Sequence, residues 1–470
     1  MYKISNEYYV RIHHVRPRFK SDIENVLIYM ATEIAKLPEL PDKEFSDKVN
    51  NAVRLFPGNT TATEKTVNNW RTEISALFGF IEHKGKISKC GRRAKELSDS
   101  GDLVSFFKTF LFNFQYPGAH IKAKTISELV ELGVKFKPAK YILSLLQGAE
   151  KKTGKRQKIT KAEVCWCVFS DLRVVRDNDD VLITWERICS NREAEIEYDT
   201  SGDVIRYASD IVDYMVMANL LVTYDGKNFY INNRENEAIA KFVNSEEWFL
   251  DYNCSITEQN DTYDSINACY DDWFSYVNRD MADTDFTTDI LAFTVDDSAN
   301  DVELKQSARN LAKQLLENKN TALTKEIGDL GEGLIHSHEC ERVRIGERCD
   351  LVHLIKRMPT SLAVGYDIQS VDLDERKRYI EVKTTISSKP IQFNRVHLTT
   401  NEWVAADTLK EHYFIYRLMI SKSEYKLYLI QDPVGKYKAN VIQMVPRDGA
   451  DITFNPDISG TYEELLSWRS

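Results

Sequence analysis

The sequence contains no stretch of about 18 apolar residues, the length a membrane-spanning helix needs. Its start, Met1-Tyr2-Lys3-Ile4-Ser5-Asn6-Glu7, lacks the apolar core of a signal peptide. A cytoplasmic protein with no membrane partner is expected. The eight cysteines include no pair of Cys-x-x-Cys motifs, so they read as reduced, partly buried thiols of a long cytosolic chain. Positive charge is also short. Lys and Arg number 62 against 72 Asp and Glu, for a net charge of -10, which at first sight excludes a partner as acidic as DNA.

The distribution of charge reverses that view. Residues 1–160 carry about +11, 161–250 about -9, 251–300 about -11 and 301–470 about -1. Phosphates respond to the field within a Debye length, so a basic lobe binds DNA although the whole chain is acidic. The length of 470 residues allows roughly two to four domains. Apolar content of 43% and aromatic content of 11% argue against overall disorder.

Within the basic lobe, helices are predicted over residues 23–30 and 43–55. A third, over residues 63–77, is amphipathic, with Val67, Trp70, Ile74 and Leu77 as its inward stripe. Its other face carries Lys65, Asn68, Asn69, Arg71 and Thr72, residue types that suit phosphate and base-edge contacts. Next comes an alternating run, Phe80 to Ser88, with a hairpin turn predicted at Lys84-Gly85 and a second cation at Lys86. Gly91-Arg92-Arg93-Ala94 opens a further helix. Helix, basic hairpin, helix resembles a winged helix, with residues 63–77 in the recognition position. Lys65, Asn68, Asn69, Arg71, Lys84, Lys86, Arg92 and Arg93 are therefore the candidate DNA contacts. The bland alternative is a solvated face.

The pattern recurs. Residues 103–150 look helical, with Pro138 at a helix start, and the run Lys151–Lys158 is a basic loop. Thr160 and Glu163 form a capping box ahead of a helix predicted over Val164–Leu172. Ile205–Met217 reads as a helix with Ile211, Met215 and Val216 inward. A hairpin over residues 220–231 has Asp225-Gly226 at its turn, and a closing helix covers 234–243. This copy is acidic, which favours a scaffold or protein interface over a main DNA contact. Residues 244–300 then carry fourteen acids against the single Arg279, with interleaved aromatics that argue for a packed connecting segment. That acidity is either a solvated face or a device that occupies the basic lobe at rest.

The chemistry lies near the other end. Gly365-Tyr366-Asp367-Ile368 and Arg378–Thr385 are short apolar runs with an acid on each. Alternation on a strand puts Glu381 and Lys383 on one face. Pairing of the runs as a hairpin brings Asp367 to Glu381. Two carboxylates and an ammonium at one point on a sheet suit Mg²⁺ and a phosphodiester. Around them, helices are predicted over 302–319 and 321–339, strands over 350–355, 363–370, 378–385, 413–421 and 425–431, and a helix up to Leu409 capped by Thr399 and Glu402. Glycines in Gly328-Asp329-Leu330-Gly331-Glu332-Gly333 suggest close packing of that helix on the sheet. Glu402 reads as a cap rather than a catalytic group. His336 and Cys340 share a helix face, which leaves packing and a zinc site as alternatives.

Taken in order, Gly331-Glu332, Gly365–Ile368, Tyr379–Thr385 and Thr399/Asn401-Glu402-Trp403 resemble the PD-(D/E)XK nuclease superfamily and, more closely, the group called the NO VEIN C-terminal-like domain. The resemblance covers residues 320–435, about a quarter of the chain. Tyr366 stands where the superfamily pattern has proline. The resemblance implies that Asp367 and Glu381 ligate Mg²⁺ with the Val382 carbonyl, that Lys383 orients or helps deprotonate the attacking water, and that Glu332 completes the metal shell directly or through water. The helical N-terminal two-fifths also resembles the recognition regions of type IIS-like restriction enzymes.

The expected architecture is multidomain, with a mostly α, winged-helix-like N-terminal region and an α/β restriction-endonuclease-like nuclease domain. Its parts are a winged-helix-like DNA-binding domain at 1–105, a helical and second winged-helix-like domain at 106–245, an acidic connecting segment at 246–300 and the nuclease domain at 301–470. The expected function is Mg²⁺-dependent restriction of duplex DNA at a specific or modified sequence in bacterial defence, with a homodimer at least during cutting. The alternatives are a DNA-binding sensor or regulator on an inactive nuclease fold, and a nuclease activated by a partner.

Overall fold

The structure is a computed structural model. It describes residues 1–286 apart from 14–16, 18, 20–21, 57–58, 224, 255–265, 267, 282–283 and 285, and residues 327–466 apart from 359–363, 388–393, 422–424 and 447–448. The helix expected over 302–319 and the start of the next lie outside them. The chain divides into two compact units, Met1–Asp99 with Leu103–Phe286, and Ser100–Asp102 with Thr287–Ser470.

The first unit repeats one order of elements. Helix α1 (Ile23–Ala35), strand β1 (Leu40–Pro41), α2 (Asp42–Leu55), α3 (Glu64–Thr72), β2 (Ile81–Lys84) and β3 (Ile87–Cys90) come first. Thr63 caps α3 by accepting the Thr66 N–H at 3.3 Å, and the helix runs on into a wider π turn over Glu73–Leu77. The apolar spacing seen in the sequence is its buried stripe, with Val67, Trp70, Ile74 and Leu77 all at or below 6% exposure. Strand β1 joins the hairpin to give the sheet order β1-β3-β2. Lys84 pairs with Ile87, so the turn is Gly85-Lys86, one residue later than the sequence suggested. Gly85 takes φ +65°, which a side chain would resist.

After α4 (Arg92–Ser100), α5 (Leu103–Asn113) and α6 (Ala123–Glu131), the order returns: α7 (Pro138–Thr153), β4 (Lys158–Thr160), α8 (Lys161–Glu163), the short α9 (Leu172–Val175), α10 (Val181–Glu193), α11 (Gly202–Met217), β5 (Leu221–Thr223) and β6 (Asn228–Ile231). These strands form the sheet β4-β6-β5, the same arrangement as before. The Thr160–Glu163 capping box is present, but α8 passes at once into a π turn over Val164–Phe169. Phe78 of the first copy lies 6.2 Å from Tyr214 of the second, and Phe110 lies 5.6 Å from the same ring. This shared aromatic core joins the two copies in one compact unit. After α12 (Asn236–Asn244) and α13 (Asp251–Cys254) comes α14 (Tyr270–Val277), which buries Trp273, Phe274 and Val277. Among the described residues of the acidic segment, Phe249, Tyr252, Trp273 and Phe274 are buried, as its aromatics predicted.

The second unit is built on a six-stranded mixed sheet of order β15-β12-β11-β9-β8-β7. Its members are β7 (Lys356–Arg357), β8 (Ile368–Val371), β9 (Lys377–Ser387), β11 (Tyr413–Ser421), β12 (Tyr425–Gln431) and β15 (Thr461–Glu463). Only β9 and β11 run parallel, and their crossover holds β10 (Arg395–Leu398) and α16 (Thr400–Leu409). Helix α15 (Ile327–Ile345) covers one face. Gly331 makes that possible, because a Cβ there would meet Thr384 Oγ1 at 1.8 Å. The other face carries α16, α17 (Pro433–Lys438) and a small sheet of order β10-β14-β13, with β13 Ile442–Pro446 and β14 Ala450–Phe454. Residues 350–355 differ from expectation. They form a 3-10 turn over Cys349–Leu354 in place of a strand, with Leu351 and Ile355 turned inward.

Candidate active site and DNA-facing surface

The ladder between β8 and β9 pairs Ile368 with Ile380, and the Asp367 N–H donates to the Ile380 carbonyl at 2.9 Å. That register sets Asp367 opposite Glu381. The approach to Asp367 needs Gly365, whose φ is +78° and whose Cβ would fall 2.5 Å from the Asn401 carbonyl oxygen. Tyr366, in the place of proline, packs edge-on against Tyr379 at 4.9 Å. Asp367 Oδ2 accepts the Val382 N–H at 2.8 Å. Lys383 Nζ lies 2.6 Å from Glu381 Oε1 and 3.0 Å from Glu402 Oε2. The structure thus brings Asp367, Glu381, Val382 and Lys383 together and adds Glu402, whose capping box with Thr399 is also formed.

The electrostatics are those of a crowded, shielded cluster. Glu381 is only 3% exposed, and burial pushes its carboxyl well above the usual range, against the pull of Lys383 and with the push of Asp367. Burial also raises Asp367, which the Val382 N–H and Lys383 oppose. Burial works against the Lys383 ammonium, but Glu381 and Glu402 outweigh it and its pKa is raised. Glu402 is lowered, since Lys383 and the Thr399 N–H overcome the effect of its burial.

Asp367 and Glu381 set carboxylate oxygens side by side, and such oxygen donors suit a hard divalent cation. Among the described residues no group of three or more His, Cys, Asp or Glu side chains could hold a metal ion. Beside the two carboxylates, the Val382 carbonyl would be the backbone oxygen able to serve as a third protein ligand. The N–H and C=O of one strand residue point the same way, and the Val382 N–H points at Asp367. The donor set fits Mg²⁺ on these terms. Glu332 pairs with Arg357 at 2.7 Å. Arg357 in turn lowers the Asp367 carboxyl, so Glu332 is one arginine away. His336 and Cys340 do share a face, with Nδ1 and Sγ 3.9 Å apart.

In the first unit, Lys65, Asn68, Lys84 and Lys86 are exposed, and Asn69 and Arg71 are half-buried. Arg71 donates to Asn50 Oδ1 at 3.2 Å, and Asn50 donates to Asn68 Oδ1 at 3.4 Å, which ties α3 to α2. Arg92 is exposed but bound to Glu96 at 2.6 Å and Asp280 at 3.0 Å. Arg93 does not belong with these. It is 4% exposed, with its guanidinium turned to the Phe78 carbonyl, and burial lowers its pKa to about 9. On α4 it falls on the apolar face with Ala94 and Leu97, which the doublet Arg92-Arg93 conceals.

Sequence reasoning missed Asn50, Arg357 and Asp271. Asp271 Oδ2 accepts the Gly85 N–H at the hairpin tip, at 2.8 Å across 186 residues of sequence. No local pattern signals any of the three. No helix among the described residues is long and apolar enough to cross a membrane.

Comparison with known proteins agrees with the division in two. The family model for the C-terminal region of the protein NO VEIN matches residues 332–430, which contain Glu332, Asp367, Glu381, Lys383 and Glu402. Among solved structures, the chain is similar in fold to one titled as pyrene- and phenanthrene-modified DNA in complex with the BpuJ1 endonuclease binding domain. That likeness has a TM-score of 0.53 at 24% identity and covers 59% of this chain and 100% of that one. No curated protein matches. The family model for the N-terminal region of the restriction endonuclease BpuJI matches residues 2–274, more than half of the sequence, and the chain belongs to that family.

Proposed function

We propose that the protein is a Mg²⁺-dependent, restriction-type endonuclease that cleaves phosphodiester bonds of duplex DNA at a specific or modified sequence, in defence against foreign DNA in the cytoplasm. The observation that carries this reading is the in-register meeting of Asp367 and Glu381 with Lys383 beside them, in a chain whose other unit belongs to a restriction-endonuclease family. The PD-(D/E)XK fold is the reading of the second unit that fits this cluster. The two repeated blocks of the first unit have the element order of winged helices, with α3 and the β2–β3 hairpin of the first as the DNA-facing surface.

Asp367, Glu381 and the Val382 carbonyl would hold the metal. When bound, it would polarise a nonbridging phosphate oxygen and favour hydroxide at neutral pH. Lys383 would orient the attacking water and offset the charge that builds up on the phosphorane-like transition state. The buried setting of Glu381 keeps water from screening these charges. One such site cuts one strand, so double-strand cleavage calls for two copies.

The test is cleavage of methylated and unmethylated phage and plasmid DNA with Mg²⁺ or EDTA. The reading requires cutting with Mg²⁺ and none with EDTA. Specific DNA binding without cutting under any of these conditions would favour a sensor or regulator instead.

A further inference from the structure

We infer that Glu402 is a positioning residue for Lys383, a second seat that lets the ammonium leave Glu381 when a divalent cation takes that carboxylate. The inference rests on the proposed nuclease site and extends it to a residue outside the metal shell. At 2.6 Å, Lys383 Nζ occupies Glu381 Oε1, the carboxylate assigned to the cation. An ammonium and a divalent cation repel each other at one carboxylate. Lys383 must therefore move, and it must stay close enough to serve the water and the phosphate.

Glu402 is placed for that. Its Oε2 already lies 3.0 Å from Lys383 Nζ, so the exchange needs a side-chain swing and no backbone movement. An ammonium has three donors and holds two carboxylates at once, which makes the transfer continuous. Glu402 is itself fixed at the first turn of α16, where its Oε2 accepts the Thr399 N–H at 2.9 Å and its own N–H donates to Thr399 Oγ1 at 3.4 Å. Its side chain is 15% exposed. A capping box works with glutamine as well as with glutamate. The negative charge at residue 402 is thus surplus to the cap, and Lys383 is the cation that faces it.

Glu402→Gln keeps the cap and removes the charge, so it separates the two roles. In the full chain, Ca²⁺ binding by calorimetry is expected to weaken about tenfold in Glu402→Gln, because Lys383 stays on Glu381, and Mg²⁺-dependent kcat to fall about a hundredfold with KM for DNA unchanged. The melting temperature is expected to stay at the wild-type value. Lys383→Met combined with Glu402→Gln is expected to bind Ca²⁺ at least as tightly as wild type, since no ammonium has to be moved, while it does not cut. Wild-type Ca²⁺ affinity and kcat in Glu402→Gln, with Asp367→Ala inactive, overturn this inference and leave the nuclease reading standing. Unchanged cutting and Ca²⁺ binding in Asp367→Ala overturn the nuclease reading itself. Weak Ca²⁺ binding that persists in the double variant also overturns the inference, because Lys383 is then not the obstacle.

Discussion

Lys84 and Lys86 stand in solvent on a two-stranded turn, whereas Glu381 is 3% exposed inside a six-stranded sheet. The two units treat their polar residues in opposite ways. In the first, the exposed candidate cations Lys65, Lys84 and Lys86 are separate long side chains on a helix and a hairpin. In the second, Asp367, Glu381, Lys383 and Glu402 are fixed by ladder register, by a cap and by one another. Affinity spread over many exposed cations degrades gradually when one is lost. Chemistry held in one buried cluster fails at once.

The sharpest way to break this contrast is to remove one member of the cluster. Asp367→Ala or Lys383→Ala is expected to lower the cleavage rate about a thousandfold or more and leave DNA affinity by gel shift unchanged. Loss of both together would mean that cutting and binding are not separable.

A second test concerns the buried charge beneath the sheet. Glu339 is fully buried and accepts from Arg342 at 2.7 Å, Ser370 at 2.6 Å and Tyr416 at 2.8 Å. Burial alone would raise its carboxyl, but Arg342 and Arg378 overcome that and bring it from 4.5 down to about 2. Its folded pKa is below its unfolded one. The stability it contributes is therefore fully present above about pH 4.5 and is lost as pH falls towards 2. Glu339→Gln removes the nearer of the two carboxylates that pair with Arg342 and is expected to destabilise the second unit by about 3 kcal/mol at neutral pH. It should also flatten the fall in melting temperature between pH 5 and pH 3, as read by calorimetry. An unchanged acid profile would show that Glu339 is not the group that titrates.

Distributed binding predicts a smaller effect. Lys84→Ala with Lys86→Ala is expected to weaken DNA binding and to reduce the slope of log K against log salt by about 2, with the rate at saturating DNA unchanged. The smallest effect belongs to the second copy of the repeated block. Arg206→Ala with Lys227→Ala is expected to change affinity less than about twofold, because acids crowd these cations. Arg206 pairs with Asp203, and Asp225 is held down to about 2 by the N–H groups of Asn228 and Lys227. A large loss there would mean that both copies read DNA.

The same contrast governs what the sequence revealed. Local rules carried far. The buried stripe of α3, both capping boxes and the meeting of Asp367 with Glu381 follow from spacings of three, four or two residues and from one hairpin. Pairings between distant segments left no such trace. The β10-β14-β13 sheet, the Asp271 contact with Gly85 and the pairing of Glu332 with Arg357 join residues that no periodicity connects. Short apolar runs misled at Cys349–Leu354, because two inward residues four apart suit a tight helical turn as well as a strand. Glu402 was legible as a cap, but its second partner became visible only when α16 lay across the sheet.

The parallel pairing of β9 with β11 has a consequence in time. Lys383 pairs with Arg417, and the intervening chain must close as a loop before that ladder exists. Such long closures are slow steps in folding. A chain still emerging from the ribosome can form the β8–β9 hairpin with Asp367 and Glu381, but α16 cannot dock until the residues after Tyr413 have been made. Lys383 therefore gains its second carboxylate only after β11 has been made.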